Sequence, residues 1–245
     1  MKSLLFATAA LVVLASPAFT ADLQPAIGAP PGAHNWTGLY FGGHCGGAWG
    51  YTRTTGDRGA FDSATHRDYS LRPAGWVCGG ELGFNMQISG WFWGIESDFG
   101  YLGLKASITQ NASPRNFVEV NYGFYGVAAG RAGVVVDRAL LYAKAGVAFA
   151  QIKNTASHLI GGVIDPADFT ELDKMHIGWA AGTGIEYGLS SSWSVKLEYL
   201  YLDFGTADSS DQHHALFTHH NSVHTLKAGL NWHFGGGPAL AMNYY

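Results

Sequence analysis

Almost every charged residue in the strand-like segments of this chain falls on one parity, and the opposite parity is apolar and aromatic. The clearest stretch runs from Gly75 to Ile88. There Trp76, Cys78, Gly80, Leu82, Phe84, Met86 and Ile88 alternate with Val77, Gly79, Glu81, Gly83, Asn85 and Gln87. A period of two is the period of a β-strand, whose successive side chains point to opposite faces. A soluble sandwich also alternates, but it turns its charges toward water and has no reason to set Trp, Phe and Tyr on most strands. A membrane barrel places its aromatics in girdles at the two interfaces. The pattern therefore reads as an all-β, antiparallel, up-and-down transmembrane barrel, apolar outside and polar inside.

Composition supports lipid as the solvent. Charged residues make up 13% of the chain and aromatics 14%, against about 25% charged in an ordinary soluble domain. The formal charge of -4 leaves no basic footprint for nucleic acid. Residues 1–21 read as a secretory signal peptide: Lys2, the apolar run Leu4 to Ala15, then the small residues around Ser16-Pro17-Ala18, with cleavage between 18 and 21. Beyond it no apolar run approaches the roughly 18 residues of a transmembrane helix. Residues 22–34 form a Pro- and Gly-rich lead, 35–234 one barrel domain, and 235–245 a C-terminal tail.

Eight strands are predicted: Trp36 to Tyr51, Gly75 to Ile88, Trp91 to Leu102, Glu119 to Val134, Ala139 to Ile152, His176 to Leu189, Trp193 to Phe204 and Val223 to Phe234. Their connections alternate. Short ones fall at Ser89-Gly90, Val135 to Arg138 and Ser190 to Ser192. Long ones fall at Thr52 to Ala74, Gly103 to Val118, Lys153 to Met175 and Gly205 to Ser222. This is the asymmetry of an outer-membrane barrel, with short periplasmic turns and four long extracellular loops.

Parity assigns Glu81, Glu96, Asp98, Arg131, Lys144, Glu186, Lys196, Glu198 and Lys227 to the lumen, five acids against four bases. An eight-stranded barrel is only wide enough for side chains to fill it, and buried charges have to be paired. The expectation is a packed, polar, salt-bridged plug rather than a diffusion pore. Trp91, Trp93, Phe124, Trp179, Tyr187, Trp193, Tyr199 and Trp232 are assigned to the lipid face.

Three stretches carry more than periodicity: Asn35 to Gly50 (NWTGLYFGGHCGGAWG), Gly178 to Gly205 (GWAAGTGIEYGLSSSWSVKLEYLYLDFG) and Leu226 to Phe234 (LKAGLNWHF). Together they resemble the small OmpA-like outer-membrane β-barrel proteins of alphaproteobacteria, often labelled porin family. The resemblance implies a barrel in the outer-membrane lipid with a structural, surface-exposed role, inserted by the barrel assembly machinery; some members are described as binding haemin. Relatives of this kind end at the aromatic residue that the machinery reads, whereas here Phe234 is followed by Gly235 to Tyr245. Ala129 stands where the family often has an inward Arg, so this plug carries one base fewer.

Candidate chemistry is sparse. His213, His214, His219 and His220 lie near Asp208 and Asp211 in the last long loop, a donor set suited to a divalent metal or to haem iron, though with no closed zinc spacing; a solvated loop tolerates the same residues. Cys45 and Cys78 fall on the outward parity of neighbouring strands and oppose each other if the first hairpin closes near Tyr51 and Arg72. Either a disulfide, favoured by an oxidising compartment, or two small residues facing lipid fits that placement. Catalysis needs a nucleophile or water-activating pair beside a His, and no loop or strand rim offers such a set. The sequence thus reads as a non-enzymatic barrel that anchors in and stabilises the envelope and presents surface loops, with loop-mediated haemin or metal binding as the alternative.

Overall fold

The computed structural model describes residues 34–56, 69–109, 115–160, 163–210 and 216–234. The signal peptide, nearly all of the lead and the tail beyond Phe234 lie outside these residues. The strands are β1 (Gly38–Gly56), β2 (Tyr69–Leu71), β3 (Ala74–Ile88), β4 (Trp91–Thr109), β5 (Arg115–Val136), β6 (Ala139–Ile160), β7 (Val163–Gly188), β8 (Trp193–Ser210) and β9 (Leu216–His233). Each pairs antiparallel with the next around the sheet, and β1 pairs with β9 to close it. β2 and β3 are one barrel strand broken at Arg72 and Pro73, so the barrel has eight strands. Pro73 has no N–H to give the ladder, and its carbonyl accepts the Gly50 N–H at 2.7 Å. Closure leaves no free sheet edge at membrane depth, as a bilayer demands.

The outward positions form two aromatic belts. Phe41 and Trp49, Trp93 and Tyr101, Tyr187 and Trp179, Trp193 and Tyr201, and Trp232 and His224 each stand eight residues apart on one strand. Eight residues at about 3.4 Å each, tilted by about 40°, rise about 21 Å, close to the ~25 Å apolar band of an outer-membrane barrel. Neighbouring strands join parts of each belt by ring contact. Trp76 stacks on Tyr101 at 5.7 Å, Tyr101 meets Phe124 edge-on at 5.9 Å, and Trp193 meets Trp232 at 5.0 Å. All eight aromatics assigned to the lipid face are exposed on the outer wall.

Beyond the outer belt the strands run further than the sequence pattern indicated. Lys153 to Met175, expected as a long loop, is mostly a hairpin: β6 and β7 stay in register from Lys153↔Asp173 to Ser157↔Phe169 and again at Leu159↔Ile164 and Ile160↔Val163. There the apolar alternation of the sequence fades while backbone pairing continues. The sheet also divides there, because β7 pairs with β8 only from Trp179 to Gly188. Gly205 lies at the parting: its φ of 64° is left-handed, open to glycine at little cost, and the β8–β9 register shifts around it, a local bend in β8. The Asp203 carboxylate fixes the bend by accepting the Gly205 N–H at 2.8 Å.

Single parity also fails in β5. Tyr122 and Tyr125 both point inward although three positions apart, because a bulge between them shifts the register against β6. Above the bulge the inward residues have even numbers; below it they have odd ones.

Candidate functional site

Read from the periplasmic end, the inward residues of the strands repeat one order. In β4 it is Phe92, Glu96, Asp98, Leu102, Leu104; in β8 Ser194, Lys196, Glu198, Leu200, Leu202, Phe204; in β6 Leu140, Tyr142, Lys144, Ala148, Ala150, Ile152. The lumen is therefore stratified rather than polar throughout, which refines the expectation of a polar plug. A small apolar cluster of Trp36, Phe92, Leu140 and Tyr142 closes the periplasmic side. A larger one, including Val77, Leu102, Leu104, Val120, Ile152, Leu200, Leu202, Phe204 and Val223, fills the outer half. All nine charges assigned to the lumen are buried between them.

Arg131 anchors the inner side of this layer. Its Nη1 donates to Glu96 Oε2 at 2.6 Å and its Nη2 to Glu186 Oε2 at 3.0 Å. The Tyr40 hydroxyl lies 2.5 Å from both Arg131 Nη1 and Glu96 Oε2, and the guanidinium stacks 4.2 Å from the Tyr142 ring centre. Glu186 also accepts from Ser194 Oγ at 2.5 Å and Asn231 Nδ2 at 2.8 Å, with His233 Nε2 at 3.3 Å. Lys144 bridges Glu96 and, at 3.4 Å, Glu198; Lys196 pairs with Glu81; Lys227 pairs with Asp98 and, at 3.0 Å, with Glu198. At the outer edge, His44 places Nδ1 3.2 Å from Glu81 and Nε2 2.9 Å from the Tyr125 hydroxyl, which donates to Asp98 at 2.8 Å.

Charge selection alone misses the neutral partners Tyr40, Tyr125, Tyr142, Ser194 and Asn231, and the histidines His44 and His233. Their inward parity is visible in the sequence, but an inward Tyr looks like any other barrel aromatic until a carboxylate is found beside it. Two glycines make room. A Cβ on Gly83 would meet the Tyr40 hydroxyl at 2.3 Å, and one on Gly184 the Tyr142 ring at 2.5 Å.

The donor atoms of His44, Glu81 and Asp98, and those of Glu96, Asp98 and Glu198, lie within 4.8 Å of one another, a spacing that a cation bridges. Lysine ammonium groups already occupy that role, through Lys196 on Glu81, Lys227 on Asp98 and Lys144 on Glu96. The acids of both clusters are thus bridged by internal cations.

Of the four loop histidines, His213 and His214 lie outside the described residues. His219 and His220 are consecutive in β9, paired in register with Thr54 and Arg53 of β1. His220 Nε2 stands 3.8 Å from Asp203 Oδ2. Cys45 and Cys78 are directly opposed in β1 and β3 and are joined by a disulfide on the outer wall of the barrel. At the periplasmic mouth His34, next to the Trp36 and His233 rings, is buried. Burial, aided by the neighbouring His233, lowers its pKa from 6.5 to about 4.

The chain is 30% identical to the 31 kDa outer-membrane immunogenic protein of Brucella melitensis, over 96% of its own length and 100% of that protein's. It is 30% identical to the 25 kDa outer-membrane immunogenic protein of Brucella abortus, over 84% and 85% of the two chains. It is 29% identical to the 22 kDa outer membrane protein of Rhizobium leguminosarum bv. viciae, over 82% and 80%. Among solved structures, the outer membrane protein OprG from Pseudomonas aeruginosa superposes with a TM-score of 0.49 at 11% identity, covering 82% of this chain and 99% of that one. The family model of the outer membrane protein beta-barrel domain matches residues 6–234. A closed eight-stranded barrel with a lipid-facing outer wall, in a chain with these relatives, belongs to the outer-membrane β-barrel protein family and resides in the cell outer membrane.

Proposed function

We propose that the protein is a non-conducting, non-enzymatic structural element of the outer membrane. It anchors in the lipid, stabilises the envelope and presents its outer hairpins and loops at the cell surface, after insertion by the barrel assembly machinery. One observation carries this reading: the lumen's charged layer is buried between two apolar clusters. Water and ions crossing the barrel would have to break the salt bridges and also enter an apolar core, at the cost of several kcal/mol per desolvated charge. The lumen carboxylates are likewise engaged by lysine, arginine or hydrogen-bond donors, which leaves none poised to activate water. Of the four loop histidines only His220 has a side chain among the described residues, so haemin or metal capture rests on the sequence alone.

Planar-bilayer recording of the refolded protein tests the closed lumen. The expected result is no steady conductance at protein concentrations that saturate insertion; large, long-lived channels overturn it. Deletion of the gene should sensitise cells to detergent, and unchanged resistance counts against the envelope role.

A further inference from the structure

Above the outer belt the sheet is open between β7 and β8. From Phe169 to Ile177 every residue of β7 has a register partner in β6, yet none has one in β8. β8 in turn pairs with β9 from Thr206 to Ser210 and has no partner in β7 beyond Asp203. The two strands still touch at the apex of the opening, where a Cβ on Gly178 would collide with the Asp203 carbonyl oxygen. Among the described residues the sheet therefore carries two edges there, each backed by a hairpin partner on its far side. An edge strand presents alternate N–H and C=O groups with no partner in the sheet, a template on which another strand can pair.

The edge of β7 also has an apolar side. Ile177 and Met175 follow Trp179 outward on the same face, 73% and 57% exposed, and Ile177 is the most exposed large apolar residue among the described ones. A free edge beside exposed apolar side chains is the setting of strand addition, in which main-chain bonds give affinity and alternate side chains rest on the apolar pair. Charge narrows the occupant. Across the hairpin Asp173 stands opposite Lys153 and accepts the Gln151 amide at 3.0 Å. With that acid set aside, Glu171 of β7 and Asp203 and Asp208 of β8 stand against Lys174. A second copy would bring the same acids to its own edge, so like charges oppose self-pairing, whereas a basic strand is complementary.

We infer that the β7 edge from Phe169 to Ile177 is a docking site for an extended, basic segment of another polypeptide. The segment pairs with the edge as an added strand and rests its apolar side chains on Met175 and Ile177. The inference rests on the reading that the outer hairpins stand at the cell surface, where such a segment can reach them.

The test uses full-length protein refolded in a non-ionic detergent and three fluorescent synthetic peptides: one of alternating Lys and Val, the same peptide with its backbone amides N-methylated, and one of alternating Glu and Val. Fluorescence anisotropy reports affinity, and hydrogen–deuterium exchange of the protein's amides reports the place. The Lys–Val peptide should bind and slow exchange in β7 between Phe169 and Ile177, with β3 and β4 unchanged. The N-methylated and Glu–Val peptides should bind more weakly by about tenfold or more. Glu171→Lys combined with Asp208→Lys should weaken the Lys–Val peptide and strengthen the Glu–Val one, with heat-modifiable migration showing an intact barrel. No binding of the Lys–Val peptide, or protection elsewhere in the chain, overturns the proposal. Equal binding of the N-methylated peptide to wild type overturns strand addition, and equal binding of the Glu–Val peptide overturns the basic partner; neither comparison needs a variant to fold. Dimers that protect the same β7 amides without peptide would assign the edge to a second copy and overturn the proposal. Protease cleavage of the β6–β7 hairpin in intact cells tests the surface reading separately: an uncut hairpin refutes surface presentation, while binding measured in detergent stands on its own.

Discussion

Replacing Arg131 by Ala is the sharpest probe of the charged layer. The side chain makes charge-assisted hydrogen bonds to Glu96 at 2.6 Å and Glu186 at 3.0 Å and stacks on Tyr142 at 4.2 Å. Charge-assisted bonds contribute about 1.5–3 kcal/mol each, so the pair sums to about 3–6 kcal/mol. Part of this is recovered, because Glu96 keeps Lys144 and Glu186 keeps Ser194 and Asn231. The variant also leaves five lumen acids facing three bases, with little water to compensate. The net expectation is a loss of about 3–5 kcal/mol, the range for breaking a buried pair. Urea unfolding in lipid vesicles, followed by Trp fluorescence and by heat-modifiable migration in gels, measures it. Lys174→Ala, at an exposed site, serves as the reference and should stay within about 0.5 kcal/mol of wild type. Adding Glu96→Gln to Arg131→Ala should recover part of the loss, because a carboxylate left without its partner is then neutral. If Arg131→Ala proved no more costly than Lys174→Ala, the layer would be solvated and the stratified lumen wrong.

Cys45→Ser with Cys78→Ser opens a cross-link of sequence separation 33 and should lower unfolding stability by about 2–4 kcal/mol without preventing insertion; a reductant should do the same to wild type and nothing to the variant. Gly184→Ala should cost about 1–3 kcal/mol by forcing the Tyr142 ring aside, whereas Gly130→Ala, with nothing within 4 Å of the new Cβ, should be neutral in the same unfolding assay. His34 is held neutral with its pKa lowered to about 4 from 6.5. The unfolded chain therefore takes up its proton first, and stability present above pH 6.5 should drain away as pH falls toward about 4. His34→Gln should remove that part of the pH dependence, and parallel pH profiles for the two proteins would refute the assignment.

The barrel was legible wherever two solvents differ across the sheet. Between the belts, one face of each strand meets lipid and the other a packed lumen, so Trp76 through Ile88 alternates cleanly and the nine lumen charges all stand on the inward side. Above the rim that contrast ends, and the β6–β7 hairpin from Lys153 to Met175 left no periodic trace although its backbone pairs almost throughout. The β5 bulge escaped for another reason. One inserted residue among Tyr122, Gly123, Phe124 and Tyr125 changes which aromatics face inward without changing their composition. The neutral members of the charge layer were hidden because parity places Tyr40 and Tyr142 in the lumen but does not say that each reaches a carboxylate.

The charge layer also answers a problem that the lipid-facing pattern cannot solve. A slip of one residue between neighbouring strands would turn every apolar side chain inward, and the membrane forbids it. A slip of two residues keeps inside and outside intact, so lipid contact alone hardly resists it. Such a slip would break the ion pair of Glu198 with Lys227, which stand directly opposite each other in the native register. It would also carry charges of β8 and β9 toward the apolar layer at Leu200, Leu202 and Val223, where an unpaired charge costs several kcal/mol. Buried ion pairs often add little to stability compared with well-packed hydrophobic residues. Their role here is therefore to select one register from a set that the bilayer treats as nearly equivalent, and the apolar clusters on either side of the layer make every other choice costly.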